Sequence, residues 1–435
     1  VKPVANAARS GPGLALTAAI LGWMFDGFEM GLFPLVARPA MMDLMGAGAA
    51  TEFGPWMARI IALFLVGAAL GGVVFGWLGD RIGRARAMIW SVLAYSVFSG
   101  LCAFAAEPWH IAGLRFVAAL GMGGEWALGV ALVSELFADR HRPLIAGLIG
   151  AAANVGFLLI GVLSLGLQSV IVGMGGVLQT VLPVQWAEAL LRNGAWRMLF
   201  LLAAAPALLT LFIRLFVPES ERWKQAAAEG RNRVNVMEIF QQGRARLTIL
   251  AALLAAVPLL GTWGSVQWIP SWGDKLSGGA EGVREKLQIC IASGAIVFTI
   301  ATALVAQWTN RRRTFFLISL LALGACAVLF RLPMEYGAEM LLWSFIVGGL
   351  ASSFYGWLPL YLPELFPTRL RATGSGFAFN AGRVLAAGGT LISGQLVAAF
   401  NEDYAQMCAV ISLVYAVGLV LIWFAPETKG RPLPE

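Results

Sequence analysis

Five charged residues stand inside otherwise apolar stretches of this sequence: Asp26, Glu29, Arg115, Glu125 and Arg383. A charge in such a setting is costly and usually faces a partner or a cavity. A carboxylate there binds its proton weakly beside an arginine and tightly when buried alone. One that alternates between the two states can therefore carry a proton. Arg383 suggests a different chemistry, because a guanidinium fork holds a carboxylate through two parallel hydrogen bonds. Asn380 lies one turn earlier on the same helical face. No acidic residue in the C-terminal apolar stretches neutralises Arg383, which leaves two readings open: binding of a substrate anion, or pairing with an acid of the first helix. Gln267, Trp263, Trp268 and Tyr355 offer hydrogen bonds and aromatic walls nearby, although packing accounts for each of them singly. Catalytic constellations are not expected. The sequence has two histidines and four cysteines, with no CxxC pair and no nucleophile–base grouping, so neither an enzyme nor a metal site is expected.

These charges are conspicuous because the rest of the chain is so apolar. Of 435 residues, 59% are hydrophobic and only 13% are charged, with a mean hydropathy of +0.77. A soluble domain carries about a quarter charged residues. The composition therefore points to a polytopic membrane protein, and the net charge of +7 to membrane topology rather than nucleic acid. Apolar stretches predict helices over 14–37, 56–78, 87–106, 110–137, 144–166 and 197–217. A second set follows over 247–270, 286–306, 314–332, 339–362, 373–399 and 405–425. The expected fold is all-α, twelve transmembrane helices in two six-helix bundles. The bundles would be 1–217 and 247–435, joined by a cytoplasmic linker over 218–246. Segment 166–196, apolar but interrupted by Gly173, Gly175, Gly176 and Pro183, reads as an extension of helix five plus an interfacial or re-entrant piece.

Twenty basic residues fall in the loops and tails on the side of the N-terminus and eight on the other, which places both termini in the cytoplasm. Depth follows from the helical rise. Glu29 lies about 22 Å along a helix entering from the cytoplasm, and Arg115 lies at about the same depth on a helix entering from outside. The two are therefore expected to meet, with Asp26 as a rival carboxylate on the same face. Glu125 reads equally as a relay or as a cap on a Gly-rich region. Gly67/Gly71 and Gly72/Gly76 show the spacing of close helix packing. Gly121-Met122-Gly123 lies mid-helix and is not a nucleotide fingerprint.

The loops carry motifs. GWLGDRIGRAR (76–86), with Gly76, Asp80, Arg81, Gly83 and Arg84, resembles the G-x-L-x-D-R-x-G-R-R signature of the major facilitator superfamily. Its counterpart AQWTNRRRT (306–314) keeps the arginines but lacks the Gly and Asp, so a gating salt bridge is better supported in the N-terminal half. SELFADRHRP bears Glu135 and Arg142, PESERW bears Glu219, and YLPELFPTRLRATG bears Glu364 and Arg371. PETKG near the C-terminus bears Glu427. Together these resemble the sugar-porter-like branch. The stretch GTWGSVQWIPSW (261–272), however, lacks the tandem Gln of true sugar porters. FDGFE (25–29) is similar to the D-G-x-D motif of aromatic-acid/proton symporters, and GMGGEW (121–126) to a stretch of sialate and lactate symporters.

This resemblance implies a transporter in the cell membrane, working by alternating access on a small organic anion with protons as coupling ion and no other cofactor. In the resembling family, the acid of G-[FY]-D and the first Arg of R-x-x-x-G-x-G-x-G form the proton couple, and Glu29 and Arg115 match those positions. A monomer within the lipid bilayer is expected. The alternatives are a sugar or polyol porter and, in another class, a non-transporting membrane sensor.

Overall fold

The computed structural model describes residues 7–136, 142–181, 183–208, 236–241, 243–367 and 370–430. No strand occurs among them. The N-terminal half contains α1 (Ala7–Met45), α2 (Ala49–Ile82), α3 (Arg84–Leu101), α4 (Pro108–Leu136), α5 (Arg142–Val181) and α6 (Val184–Leu202). The C-terminal half contains α7 (Ala245–Gly264), α8 (Ile269–Leu276), α9 (Val283–Trp308) and α10 (Arg311–Arg331). It continues through α11 (Ala338–Glu364), α12 (Arg371–Ala399), α13 (Tyr404–Ile411) and α14 (Val414–Leu421).

The pairs α7–α8 and α13–α14 each cross as one interrupted segment, Ala245–Leu276 and Tyr404–Phe424. Eight segments among the described residues are long and apolar enough to cross a membrane by length and composition. Helices α4, α5, α6 and α12 complete the twelve. The fold is all-α, two bundles of six spans. The expected linker 218–246 falls largely outside the described residues.

Small residues set the packing. A Cβ on Gly27 would stand 1.8 Å from the Ala153 carbonyl oxygen, and one on Gly156 the same distance from that of Met24, so α1 and α5 touch backbone to backbone. Helix α4 lies equally close to two neighbours. Gly123 abuts the Ala68 carbonyl of α2, while Gly121 abuts Ser91 and Tyr95 of α3. The expected glycine pairs behave differently from one another. Gly67 and Gly71 press on Phe116 and Leu120 of α4 within their own half, whereas Gly72 faces Asn380 of α12 across the halves. Gly76 has open space around it. Two long seams join the halves, α2 against α12 and α5 against α9.

The first seam closes tightly at the end remote from the termini, where Gly54 of α2 meets Val397 and Gly394 meets Ala58. Charged groups reinforce that end. Asp274 of α8 pairs with Arg38 of α1 at 3.4 Å and with Arg284 of α9 at 3.5 Å. Arg284 also donates to the Leu35 carbonyl at 2.8 Å. Ser164 of α5 donates to Glu285 of α9 at 3.1 Å.

The interrupted segment 166–196 resolves into two parts. Helix α5 runs on to Val181, and Pro183, which cannot continue a helix, precedes α6. Inside α6 the chain turns through Asn193 and Ala195 at φ +50° and +54°. Asp43 holds this turn through Arg192 at 2.7 Å, Asn193 at 2.8 Å, Trp196 at 3.2 Å and Arg197 at 3.3 Å.

Candidate functional site

The charged residues predicted from sequence meet in the interior. Glu29, with no exposed surface, accepts from Arg115 Nη1 at 2.8 Å. Ser99 of α3 donates to the same carboxylate oxygen at 2.8 Å. The guanidinium of Arg115, 1% exposed, also lies over two ring faces, 4.7 Å from that of Phe33 and 4.9 Å from that of Phe64. Such faces attract cations through their quadrupole. Three helices of one bundle thus supply the acid, the cation and the hydroxyl, and a fourth supplies one of the ring faces. The sequence reading missed Ser99, Phe33 and Phe64. A polar residue within the apolar stretch 87–106 was the available signal for the first, whereas nothing distinguishes the two phenylalanines from their many neighbours.

Asp26, 5% exposed, lies one turn from Glu29 on α1 and acts on a different arginine. Its negative charge acts on Arg383 of α12, in the opposite half. Arg383 donates to Asn380 at 3.3 Å and stacks over Phe379 at 4.9 Å. Its charge also interacts with Tyr355 of α11, whose hydroxyl donates to Thr262 of α7 at 3.3 Å. Asn380 is pressed against α2, because a Cβ on Gly72 would come within 2.3 Å of its Nδ2. Of the two readings left open for Arg383, the charge of a helix-one acid acting on it bears on the second, pairing across the halves.

The aromatic candidates separate. Trp263, near the end of α7, stacks with Phe64 across the halves at 5.5 Å between ring centres. Gln267 sits buried on the 3-10 turn Val266–Trp268 that follows the break in α7. Trp268 is fully buried between Phe53 and Tyr404 and packs the remote end instead of joining Arg383. The expected continuous helix over 247–270 is therefore corrected: Ser265, at φ −131° and ψ −58°, breaks it, and its hydroxyl donates back to the Gly261 carbonyl.

The loop motifs lie at the end where the termini emerge. Gly83 adopts φ +106°, a backbone conformation that favours glycine, and links α2 to α3. Arg81 stacks over Trp77 at 4.3 Å. The helices place Asp80, Arg84, Glu125, Glu135, Arg142 and Arg371, but the side chains of these six lie outside the described ones, as does Glu219 altogether.

Among the described side chains at this end, an ionic network lies in the C-terminal half, around the degenerate loop. Glu364 receives a two-pronged bond from Arg311, Nη2 at 2.7 Å and Nε at 3.0 Å. Thr428 Oγ1 donates to it at 2.6 Å. Glu427 caps the N-terminus of α10 by accepting the backbone N–H groups of Arg311 and Arg312, each at 3.1 Å. Thr428 and Lys429 add two more backbone donors. Burial pushes the Glu427 carboxyl up, but these four donors together hold it below the usual carboxylate value. The acids absent from the loop itself are supplied by two distant motifs.

Two helical bundles meeting at a seam, with buried charges in the interior, have the architecture of a membrane transporter. The chain belongs to the Major Facilitator Superfamily, whose family model matches residues 14–390. It is 30% identical over 414 residues to a Cupriavidus pinatubonensis protein named "Probable 4-methylmuconolactone transporter", covering 95% of this chain and 90% of that one. It is 27% identical over 397 residues to the gentisate transporter of Corynebacterium glutamicum, covering 89% and 82% respectively. Among solved structures, a D-xylose-proton symporter superposes with a TM-score of 0.71 at 17% identity, over 98% of this chain and 100% of that one. That last likeness is one of fold.

Proposed function

We propose that this protein imports a small organic acid together with a proton, by alternating access, as a monomer with both termini in the cytoplasm. The observation that carries the reading is the buried ion pair of Glu29 with Arg115 inside one bundle, beside which the charge of Asp26 acts on Arg383 across the seam. In this reading Glu29 and Asp26 carry the proton, Arg115 tunes it, and Arg383 with Asn380 holds the substrate carboxylate. Tyr355 and Trp263 wall the site, and Gln267 and Glu125 serve the same passage. The bundles 1–217 and 247–435 rock about the linker 218–246, with Gly76, Asp80, Arg81, Gly83, Arg84, Glu135, Arg142, Glu219, Glu364, Arg371 and Glu427 forming the loop contacts that open and close.

The coupling has a physical rationale. A substrate carboxylate and ionised Asp26 cannot both occupy the Arg383 fork without like-charge repulsion in a medium that screens poorly. Protonation of Asp26 removes that repulsion, so substrate and proton favour each other. The two relatives named for an aromatic acid and for a muconolactone support a small, carboxylate-bearing or lactone substrate.

The test uses proteoliposomes with gentisate as the probe. An imposed inward proton gradient is expected to drive accumulation in the wild type. Glu29→Gln is expected to abolish accumulation while preserving gradient-free counterflow exchange. Unchanged accumulation in that variant refutes the coupling assignment. Uptake of neutral sugars with no response to acids refutes the substrate class.

A further inference from the structure

Phe64 has two charged or aromatic neighbours of different allegiance. One side of its buried ring faces the Arg115 guanidinium at 4.9 Å. It also lies 5.5 Å from the Trp263 ring, which belongs to the opposite half. Phe33, the other ring over Arg115, lies on α1 in the same half as the arginine. Among the described ring contacts, Phe64 is thus the one that leads from the Glu29–Arg115 pair across the seam.

What it reaches is a mechanical weak point. Trp263 stands one residue before α7 ends at Gly264, where Ser265 leaves helical geometry and the chain restarts as α8. Helix α8 carries Asp274, which bonds Arg38 of α1 and so helps to close the remote end.

Resting on the proposed role of Glu29 as proton carrier, we propose that Phe64 is the positioning residue that conveys the charge state of the Glu29–Arg115 pair to the broken α7–α8 segment. While Glu29 is ionised, its carboxylate competes with the ring faces for the guanidinium. Once Glu29 is neutral, the remaining attraction is to Phe33 and Phe64. The guanidinium then settles on the rings, and Phe64, close-packed against Trp263, transmits the shift because a dense interior passes displacement on.

The described charged and titratable groups on the surrounding helices include the exposed His110 in the first turn of α4 and Arg59 over Trp56 on α2. From α4 comes Arg115, and just after α3 comes the Cys102 thiol, which feels the charges of both Arg115 and Glu29. Helix α3 adds the neutral Ser99, α2 adds Phe64, and α5 presents Phe157 and Ile160 to α1. Arg192 and Arg197 of α6 are engaged with Asp43, and Asp274 of α8 and Arg284 of α9 lie at the remote end with Arg38. On α1 itself, Asp26 acts on Arg383.

The experiment isolates the emission of Trp263 in the purified, full-length protein by subtracting the spectrum of Trp263→Phe, with excitation selective for tryptophan. A titration across the neutral to mildly acid range is expected to change this difference signal in the wild type. Glu29→Gln should flatten it. Phe64→Leu should remove most of it, because the ring face that takes up the guanidinium is gone. Phe64→Met serves as a second ring-free variant if the first does not fold, and Phe64→Tyr, which keeps the ring face, should restore the signal. A residue that merely fills space would leave the signal intact in both ring-free variants.

Survival of the signal in a folded ring-free variant, with its loss in Glu29→Gln, overturns this inference alone. Its survival in Glu29→Gln overturns the role of Glu29 and this inference together. A flat wild-type titration overturns the inference, while gradient-driven uptake by the same preparation would still uphold the parent reading.

Discussion

Replacing Arg115 by Met strands a carboxylate, and the consequence can be worked out from its surroundings. Glu29 has no exposed surface, and its remaining described partner would be the Ser99 hydroxyl. Removing one partner of a buried pair costs about 3–5 kcal/mol. The stranded acid has an escape, because it can take up a proton, and the cost of doing so is set by pH. For a carboxyl of ordinary affinity near 4.3, holding the proton costs about 1.4 kcal/mol per pH unit above that value, hence ~4 kcal/mol at pH 7.5 and ~1 kcal/mol at pH 5. Arg115→Met is therefore expected to be several kcal/mol less stable than the wild type in neutral solution and nearly equal to it in mild acid.

Thermal unfolding in detergent, followed by tryptophan emission at a series of pH values, measures this gap. The double variant Glu29→Gln/Arg115→Met removes the acid and should recover most of the loss at pH 7.5, with little dependence on pH. A gap between Arg115→Met and wild type that stays constant with pH would refute the reasoning. So would a double variant no more stable than the single one.

Three further outcomes are expected. Gly72→Ala places a methyl where Asn380 Nδ2 now sits, 2.3 Å away, and should raise the KM for substrate by displacing Asn380 from Arg383. In the open space around Gly76 the same change should leave stability equal or higher by up to about 1 kcal/mol of helix propensity, read as an equal or slightly raised melting temperature. Glu427→Gln should cost stability at neutral pH but not in acid. The folded carboxyl is held below its ordinary value, so its contribution is present above that value and lost as pH falls through the folded one, a difference readable as converging melting temperatures. Asp274→Asn should loosen the remote end, speeding amide hydrogen exchange in α8 by about fivefold or more for a largely buried pair worth at least roughly 1 kcal/mol.

The sequence was most legible where a single physical rule decides the outcome. Apolar runs marked the spans, and the observed helices begin and end within a few residues of most of them. Helical rise alone predicted that Glu29 and Arg115 would meet, because both lie on long helices entering from opposite faces. The rule fails where the answer depends on the partner. Gly67, Gly71, Gly72 and Gly76 share one spacing, yet they face a neighbour in the same bundle, the opposing half or open space. The break at Ser265 is flanked by Gly264 and by Pro270 at the start of α8, but the apolar run continues through both, and the hydroxyl that stabilises the break bonds locally. Loop 306–314 looked degenerate because its acids, Glu364 and Glu427, arrive from more than 50 residues away. Long-range pairing of this kind cannot be read from a local pattern.

The contact between Gly72 and Asn380 has a thermodynamic consequence. One wall of Asn380 is made of backbone belonging to the other bundle, so the orientation of this residue exists only while α2 and α12 remain in register. Under the proposed role of Arg383 as the substrate's partner, ligand affinity is then not a constant of the protein but a function of the tilt between bundles. A solute captured when the amide is braced meets a looser, more mobile partner once the seam parts. The asymmetry between loading and unloading is thus built into an absent side chain, and a transporter that must release its cargo gains more from that absence than from any additional contact.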